Sequence, residues 1–193
     1  MARTADPTLP GRILAAAHAL WTEGGDAAVT LRDVARRAAT TTPSVYAYFE
    51  DRAAILRGVR GLARGRFEAA IAGSTGVADG CARVLDFVEA HPRDYELLFG
   101  YGYRDRVAPD VRAAELALLE SHVRQAGVRP LLVRPTALAI ASLLHGTAMF
   151  RLAQDSSDAV WPEYRRAALA ACETLLEAGC VGRRHGNAGR LTS

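Results

Sequence analysis

The chain has 193 residues, half of them apolar, 23% charged and 7% aromatic, with a formal net charge of +3. A chain of this size hides roughly 70% of the surface it exposes when unfolded, so it carries a core of its own and needs no metal or disulfide staple. High apolar content and low net charge also exclude a disordered polymer.

Three cysteines, Cys81, Cys172 and Cys180, are odd in number and lack C-x-x-C spacing, which argues against a disulfide framework or a zinc site. Each is expected to be a small buried hydrophobe, and a reducing cytoplasm is the expected compartment. The five histidines, at 18, 91, 122, 145 and 185, are scattered, so neither metal nor cofactor is expected. No apolar run approaches the ~20 residues of a membrane span, and the first residues hold no signal-peptide stretch.

All 24 basic residues are arginine, and alanine makes up about a fifth of the chain, a bias toward helix. Residues 1–57 carry seven arginines against six acids, so the net charge marks no nucleic-acid face there. The last eleven residues hold three arginines and no acid, which accounts for the +3; residues 183–193 are expected to be a disordered tail.

Helical spacing recurs throughout. Ile13, Ala17, Leu20 and Trp21 share a stripe of a first helix, ended by Gly24-Gly25. Thr30 and Asp33 have capping-box spacing before a short second helix with Leu31, Val34, Ala35 and Ala38 inward. Thr41 is the next cap, Pro43 fits a first turn, and Val45 and Phe49 face the core. Asp51 caps a fourth helix to about Ala72, with Ile55, Val59, Leu62 and Phe67 as its apolar marks.

Beyond a break at 73–76, helices are expected over 78–90, 93–99 and about 109–125, with a loop through Tyr101 and Tyr103. Pro130 and Pro135 are expected to bracket a turn before two long helices, about 136–154 and 161–178. The fold class is all-α.

Residues 30–49 carry the functional signal: two short helices joined by a tight turn, the outline of a helix-turn-helix. In that motif the first helix crosses the DNA backbone and the second offers its N-terminal side chains to the major groove. Thr40, Thr41, Thr42 and Ser44 stand there, and with Val45 and Phe49 inward, Tyr46 points elsewhere, within reach of a phosphate. Arg32, Arg36 and Arg52 flank the pair; for Arg36 and Arg37 a solvated face is an equal reading.

The run Thr30-Leu31-Arg32-Asp33-Val34-Ala35, continued by Thr41-x-x-Ser44-Val45-Tyr46-x-Tyr48-Phe49-x-Asp51-Arg52, resembles the DNA-binding segment of tetracycline-repressor (TetR) family regulators over about residues 10–57. Three positions depart from that pattern: Ala39-Thr40 replace Gly-Val in the turn, Pro43 replaces glycine, and Arg52 replaces lysine. The resemblance implies phosphate contacts from Thr41, Tyr46 and Arg52, base contacts from Arg32, Thr42, Pro43, Ser44 and Ala47, and either role for Tyr48. Pro43 and Ala47 would make part of the readout apolar, for example against thymine methyls.

The resemblance extends, on weaker motifs, to the remainder. Leu143-Leu144-His145-Gly146 and His91-Pro92-Arg93-Asp94-Tyr95 are similar to stretches in the His-Gly-containing (WHG-like) branch of the family's C-terminal domains. Implied are an N-terminal three-helix DNA-binding domain (1–56) and a helical effector-binding and dimerisation domain (57–182). The last two long helices would form the homodimer. On the helix from 136, Leu138, Ser142, His145 and Met149 share one side and Ala137, Ala141, Leu144 and Ala148 another. That alanine-rich stripe suits close helix packing, in a dimer or inside a monomer. Effector-pocket candidates are Phe87, His91, Tyr95, Phe99, Tyr101, Tyr103, His145, Met149 and Phe150.

These observations point to a dimeric, ligand-responsive transcriptional regulator, a repressor, binding a palindromic double-stranded operator and released by a small molecule. Two alternatives are a helical protein-binding adaptor and an all-α enzyme; no Ser-His-Asp elbow, HExxH or phosphate loop supports the latter.

Overall fold

The computed structural model describes residues 6–100, 109–153 and 159–180, with the side chains of 109–112 left aside. Tyr101, Tyr103, His185 and the 183–193 tail lie outside the described residues. Among the described residues every regular element is helical: α1 (Leu9–Ala28), α2 (Leu31–Arg37), α3 (Thr42–Tyr46), α4 (Arg52–Ala72), α5 (Val77–Ala90), α6 (Pro92–Phe99), α7 (Pro109–Gln125), α8 (Pro130–Ala153) and α9 (Trp161–Cys180). The chain divides into two compact units, Met1–Arg66 and Phe67–Ser193, and α4 supplies residues to both.

In the first unit, α1 packs on α2 and α2 on α3. Ile13, Ala17, Val34, Val45, Ile55, Val59 and Ala63 are sealed from solvent. The break expected at Gly24-Gly25 is realised at Gly25 alone, whose φ of 64° and ψ of −151° interrupt α1. One more turn follows to Ala28, so the helix ends later than the glycine pair suggests. Glycine adopts this left-handed φ without a Cβ clash.

Two inward assignments shift. Phe49 is half-buried rather than in the core, and lies three residues beyond the end of α3 at Tyr46. Leu62 is 40% exposed, while Ala63 one residue on is fully buried, so the inward stripe of α4 runs through 55, 59, 63 and 67 at strict i, i+4 spacing.

In the second unit, α8 packs against α7 and α9, and α5 against α6, α7, α8 and α9. Here the expected turn between Pro130 and Pro135 is replaced by helix: α8 begins at Pro130 and runs on through Pro135. Proline lacks the N–H that would reach the Leu131 carbonyl, so a single helical bond is forgone. With Leu131 83% exposed, water reaches that carbonyl.

The resulting 24-residue helix contains an 18-residue window of mean hydropathy 1.3, long and apolar enough by composition to cross a membrane although its apolar residues form no unbroken run. Its apolar side is instead spent inside the unit: Val133, Ala137, Ile140, Leu144 and Ala148 are buried against neighbouring helices. The alanine-rich stripe is therefore already covered within one chain, apart from Ala141, which is half-exposed.

Candidate nucleic-acid interface and ligand cleft

The helix-turn-helix is built by local capping. Asp33 N–H donates to Thr30 Oγ1 at 3.1 Å, and the Thr30 hydroxyl donates back to the Asp33 carboxylate at 2.6 Å. This is a variant of the capping box, since the Thr30 N–H is occupied by the Ala28 carbonyl at 3.1 Å. The end of α2 closes in a Schellman motif: Thr40 N–H reaches the Ala35 carbonyl at 2.9 Å and Ala39 N–H the Arg36 carbonyl at 3.2 Å. That motif places Ala39 at φ 51°, where a Cβ is strained and glycine is favoured.

On the far side of the turn, Ser44 N–H donates to Thr41 Oγ1 at 3.3 Å, and the two hydroxyls lie 2.9 Å apart. Pro43 sits in the first turn, where its missing N–H costs nothing. Val45 is fully buried, which fixes the rotation of α3 and turns its other positions outward. Tyr46 is 52% and Tyr48 37% exposed; Pro43, Thr41 and Ala47 are exposed, and Thr42 and Ser44 half-exposed. The Tyr48 hydroxyl donates to the Asp6 carbonyl at 3.3 Å, which steadies this ring against the start of the chain.

The arginines sort by partner. Arg32 is exposed and has no ion-pair partner among the described residues. Arg36 pairs with Asp33 at 2.7 Å, and Arg37 forks onto both Glu23 oxygens at 2.5 Å each, tying α2 to α1. That fork holds the Glu23 carboxyl below the ordinary carboxylate range. Arg52 is engaged as well: Nε donates to the Val29 carbonyl at 2.7 Å, and Nη2 reaches the Asp26 carbonyl at 2.5 Å and its carboxylate at 2.9 Å. Its guanidinium thus closes the last turn of α1. The Asp51 carboxylate caps α4 through the Ala54 N–H at 2.6 Å.

In the second unit, a cleft of about 170 Å³ opens between α6, α7 and α8, lined by Tyr95, Phe99, Glu115, Leu116, Leu138, Ala141, Ser142 and His145. The Tyr95 hydroxyl and His145 Nδ1 lie 3.4 Å apart. Behind the lining, Phe67 is the hub of an edge-on aromatic cluster, with ring centroids 5.2 Å from Phe87, 6.2 Å from Tyr95 and 5.4 Å from Phe99. Edge-to-face rings at such distances pack favourably and fix one another.

Of the candidates named from sequence, the structure brings Tyr95, Phe99 and His145 to this cleft. Phe87 is buried in the cluster behind it, His91 is exposed beside Phe87, and Phe150 stacks on Tyr164 at 3.8 Å. Met149 is half-buried and does not line the cleft. The residues not singled out as pocket, Leu138 and Ser142, share a helix side with His145 at i, i+4 and i+7 spacing, and that signal was present in the sequence. Glu115 and Leu116 come from α7, a helix of mixed pattern, and no local signal marks them.

Residues 13–59 match the family model described as bacterial regulatory proteins, tetR family. Comparison with curated proteins by sequence finds no match. Among solved structures, the chain is similar to a transcriptional regulator from Rhodococcus sp. RHA1 (19% identity, 90% of this chain and 96% of that one, TM-score 0.68). A TetR transcriptional regulator from Streptomyces coelicolor is comparably similar (22%, 90% and 98%, TM-score 0.63). So is a TetR variant from Acinetobacter baumannii AYE in complex with minocycline (16%, 91% and 96%, TM-score 0.61).

Proposed function

We propose that the chain, whose residues 13–59 match the family model of tetR bacterial regulatory proteins, is a homodimeric repressor released from a palindromic operator by a small molecule. The first unit is the DNA-reading part and the second the effector-binding and dimerising part. The observation that carries this reading is the orientation of α3: Val45 is sealed in the core, while Tyr46, Pro43 and Ala47 face solvent with Arg32.

In the operator complex, Tyr46 and the Thr41 hydroxyl meet phosphate, and Arg32, Thr42, Pro43, Ser44 and Ala47 meet base edges. Phosphate contacts set the register and base contacts the sequence. Tyr48 supports the phosphate side. Arg52, already bonded to three oxygens, acts chiefly by holding the end of α1 against the start of α4.

The effector occupies the cleft around Tyr95, Phe99 and His145. Binding there favours a dimer whose recognition helices no longer match major grooves one turn, about 34–36 Å, apart. A coupling of ~1–3 kcal/mol lowers operator affinity roughly 5- to 150-fold. The second copy packs on exposed apolar residues of α8 and at the start of α9, with Leu131 and Leu138 on the one and Tyr164, with Val160 just before the helix, on the other. The alanine stripe, being buried, takes no part in that contact. As a regulator rather than a catalyst, the protein acts in the cytoplasm, where its DNA is.

Fluorescence anisotropy on a labelled operator tests the reading. Tyr46→Ala, on an exposed position, should weaken binding at least tenfold while leaving the melting temperature within a degree or two. Unchanged affinity would contradict the placement of α3 in the groove.

A further inference from the structure

A second, smaller hollow in the same unit shares one residue with the ligand cleft. It measures about 30 Å³, room for one water-sized group, and is lined by Ser74, Gly80 of α5, Glu115 and His122 of α7, and apolar side chains around them. Glu115 also lines the cleft of about 170 Å³ that holds Tyr95, Phe99, Ser142 and His145. Gly80 keeps the hollow open. A Cβ there would lie 3.7 Å from both Ser74 Oγ and His122 Nδ1, so these two polar atoms converge on one spot. His122 is 7% exposed, and Ser74 Oγ is buried without a hydrogen-bond partner, which costs the fold free energy unless a ligand supplies one.

Counting histidines as neutral, the described residues of both linings carry one formal charge, the Glu115 carboxylate. Beside it stand two neutral acceptors, the Ser74 hydroxyl and, in the Nε2–H tautomer, His122 Nδ1. Carboxylate, hydroxyl and imidazole nitrogen are three acceptors, the number that the three N–H groups of a primary ammonium can satisfy. An anionic ligand group would instead meet the like charge of Glu115 and find no cation among these residues. The cleft supplies the complementary apolar wall. Tyr95 and Phe99, with ring centroids 4.5 Å apart, stand with Leu116 and Leu138, and aromatic faces attract cations as well as rings. We propose that the effector is a small aryl-alkyl primary amine, its ring in the cleft beside Tyr95 and Phe99 and its ammonium on Glu115, turned toward Ser74 and His122. The proposal rests on the reading of this cleft as the effector site and adds the class of molecule it takes.

Three probes of nearly equal shape test the class: 2-phenylethylamine, 2-phenylethanol and phenylacetate, titrated calorimetrically into the full-length protein without DNA. The amine should bind about tenfold more tightly than the alcohol, the difference expected of a charge-assisted hydrogen bond, and phenylacetate most weakly. Glu115→Gln, with its fold checked by circular dichroism, should bring the amine to the level of the alcohol and leave the alcohol unchanged. Gly80→Ala places a methyl at ordinary contact distance in the seat of the ammonium, so it should preserve the melting temperature and weaken the amine alone. Phenylacetate or the alcohol binding as tightly as the amine would overturn the proposal, as would no binding of the amine at millimolar concentration or an amine affinity indifferent to both substitutions. Operator release is followed separately by anisotropy. Amine binding that depends on Glu115 without release of DNA would support the ligand class and count against the regulator reading. Release driven equally by phenylacetate would support the effector cleft and overturn the class.

Discussion

Ala39 carries a left-handed backbone that costs a residue with a Cβ about 1 kcal/mol relative to glycine. Ala39→Gly should therefore raise unfolding free energy by roughly 1 kcal/mol in urea titrations, although glycine also adds freedom to the unfolded chain. A loss of stability would show that the turn is not strained. In sequence the position stands out as a departure from the Gly-Val of the resembling pattern, and the Schellman bonds around it show why the geometry persists. Caps were legible for the same reason: Thr30, Thr41 and Asp51 act on N–H groups three residues away, within reach of local pattern. Arg52 was not fully legible. Its oxygens come from Asp26 and Val29, more than twenty residues back, and spacing along α4 cannot announce them.

At the scale of elements, the tie between α1 and α2 is the Glu23–Arg37 fork. Arg37 donates two hydrogen bonds to the carboxylate and lowers its folded-state value, so the tie contributes stability above the ordinary glutamate range. That contribution fades as pH falls through the depressed folded value, below the ordinary glutamate range. Thermal melts across pH 3–6 should show the wild type losing more than Glu23→Gln over that interval; parallel curves would mean the pair adds nothing, as many exposed pairs do. Element existence was well marked by the helical period, and element ends less so. α1 outlasts its glycines by one turn because a single residue absorbs the kink, and α8 starts before its second proline because a missing bond near an exposed helix end is cheap.

For the whole molecule, the cleft shows where sequence runs out. Tyr95 and Phe99 were legible because aromatic residues stand near helix breaks, and His145 through its His-Gly stretch, while Glu115 joins them only through tertiary packing of α7. The stripe of small residues on α8 had two readings, and burial decides for the inside of one chain. The dimer is accordingly expected to depend on the exposed apolar residues. Leu131→Arg combined with Tyr164→Arg should shift the molar mass by light scattering from dimer to monomer without lowering helix content. A dimer that survives both changes would place the interface elsewhere.

The most direct test of the regulator is selection from a pool of random duplex DNA, followed by titration of the recovered sequence at several salt concentrations. Enrichment of a palindrome is expected. Its logarithmic affinity should fall linearly with the logarithm of salt, with a slope near −0.9 for each phosphate neutralised. Failure to enrich any sequence, with no binding even at low salt, would contradict the assignment of α3 as a recognition helix.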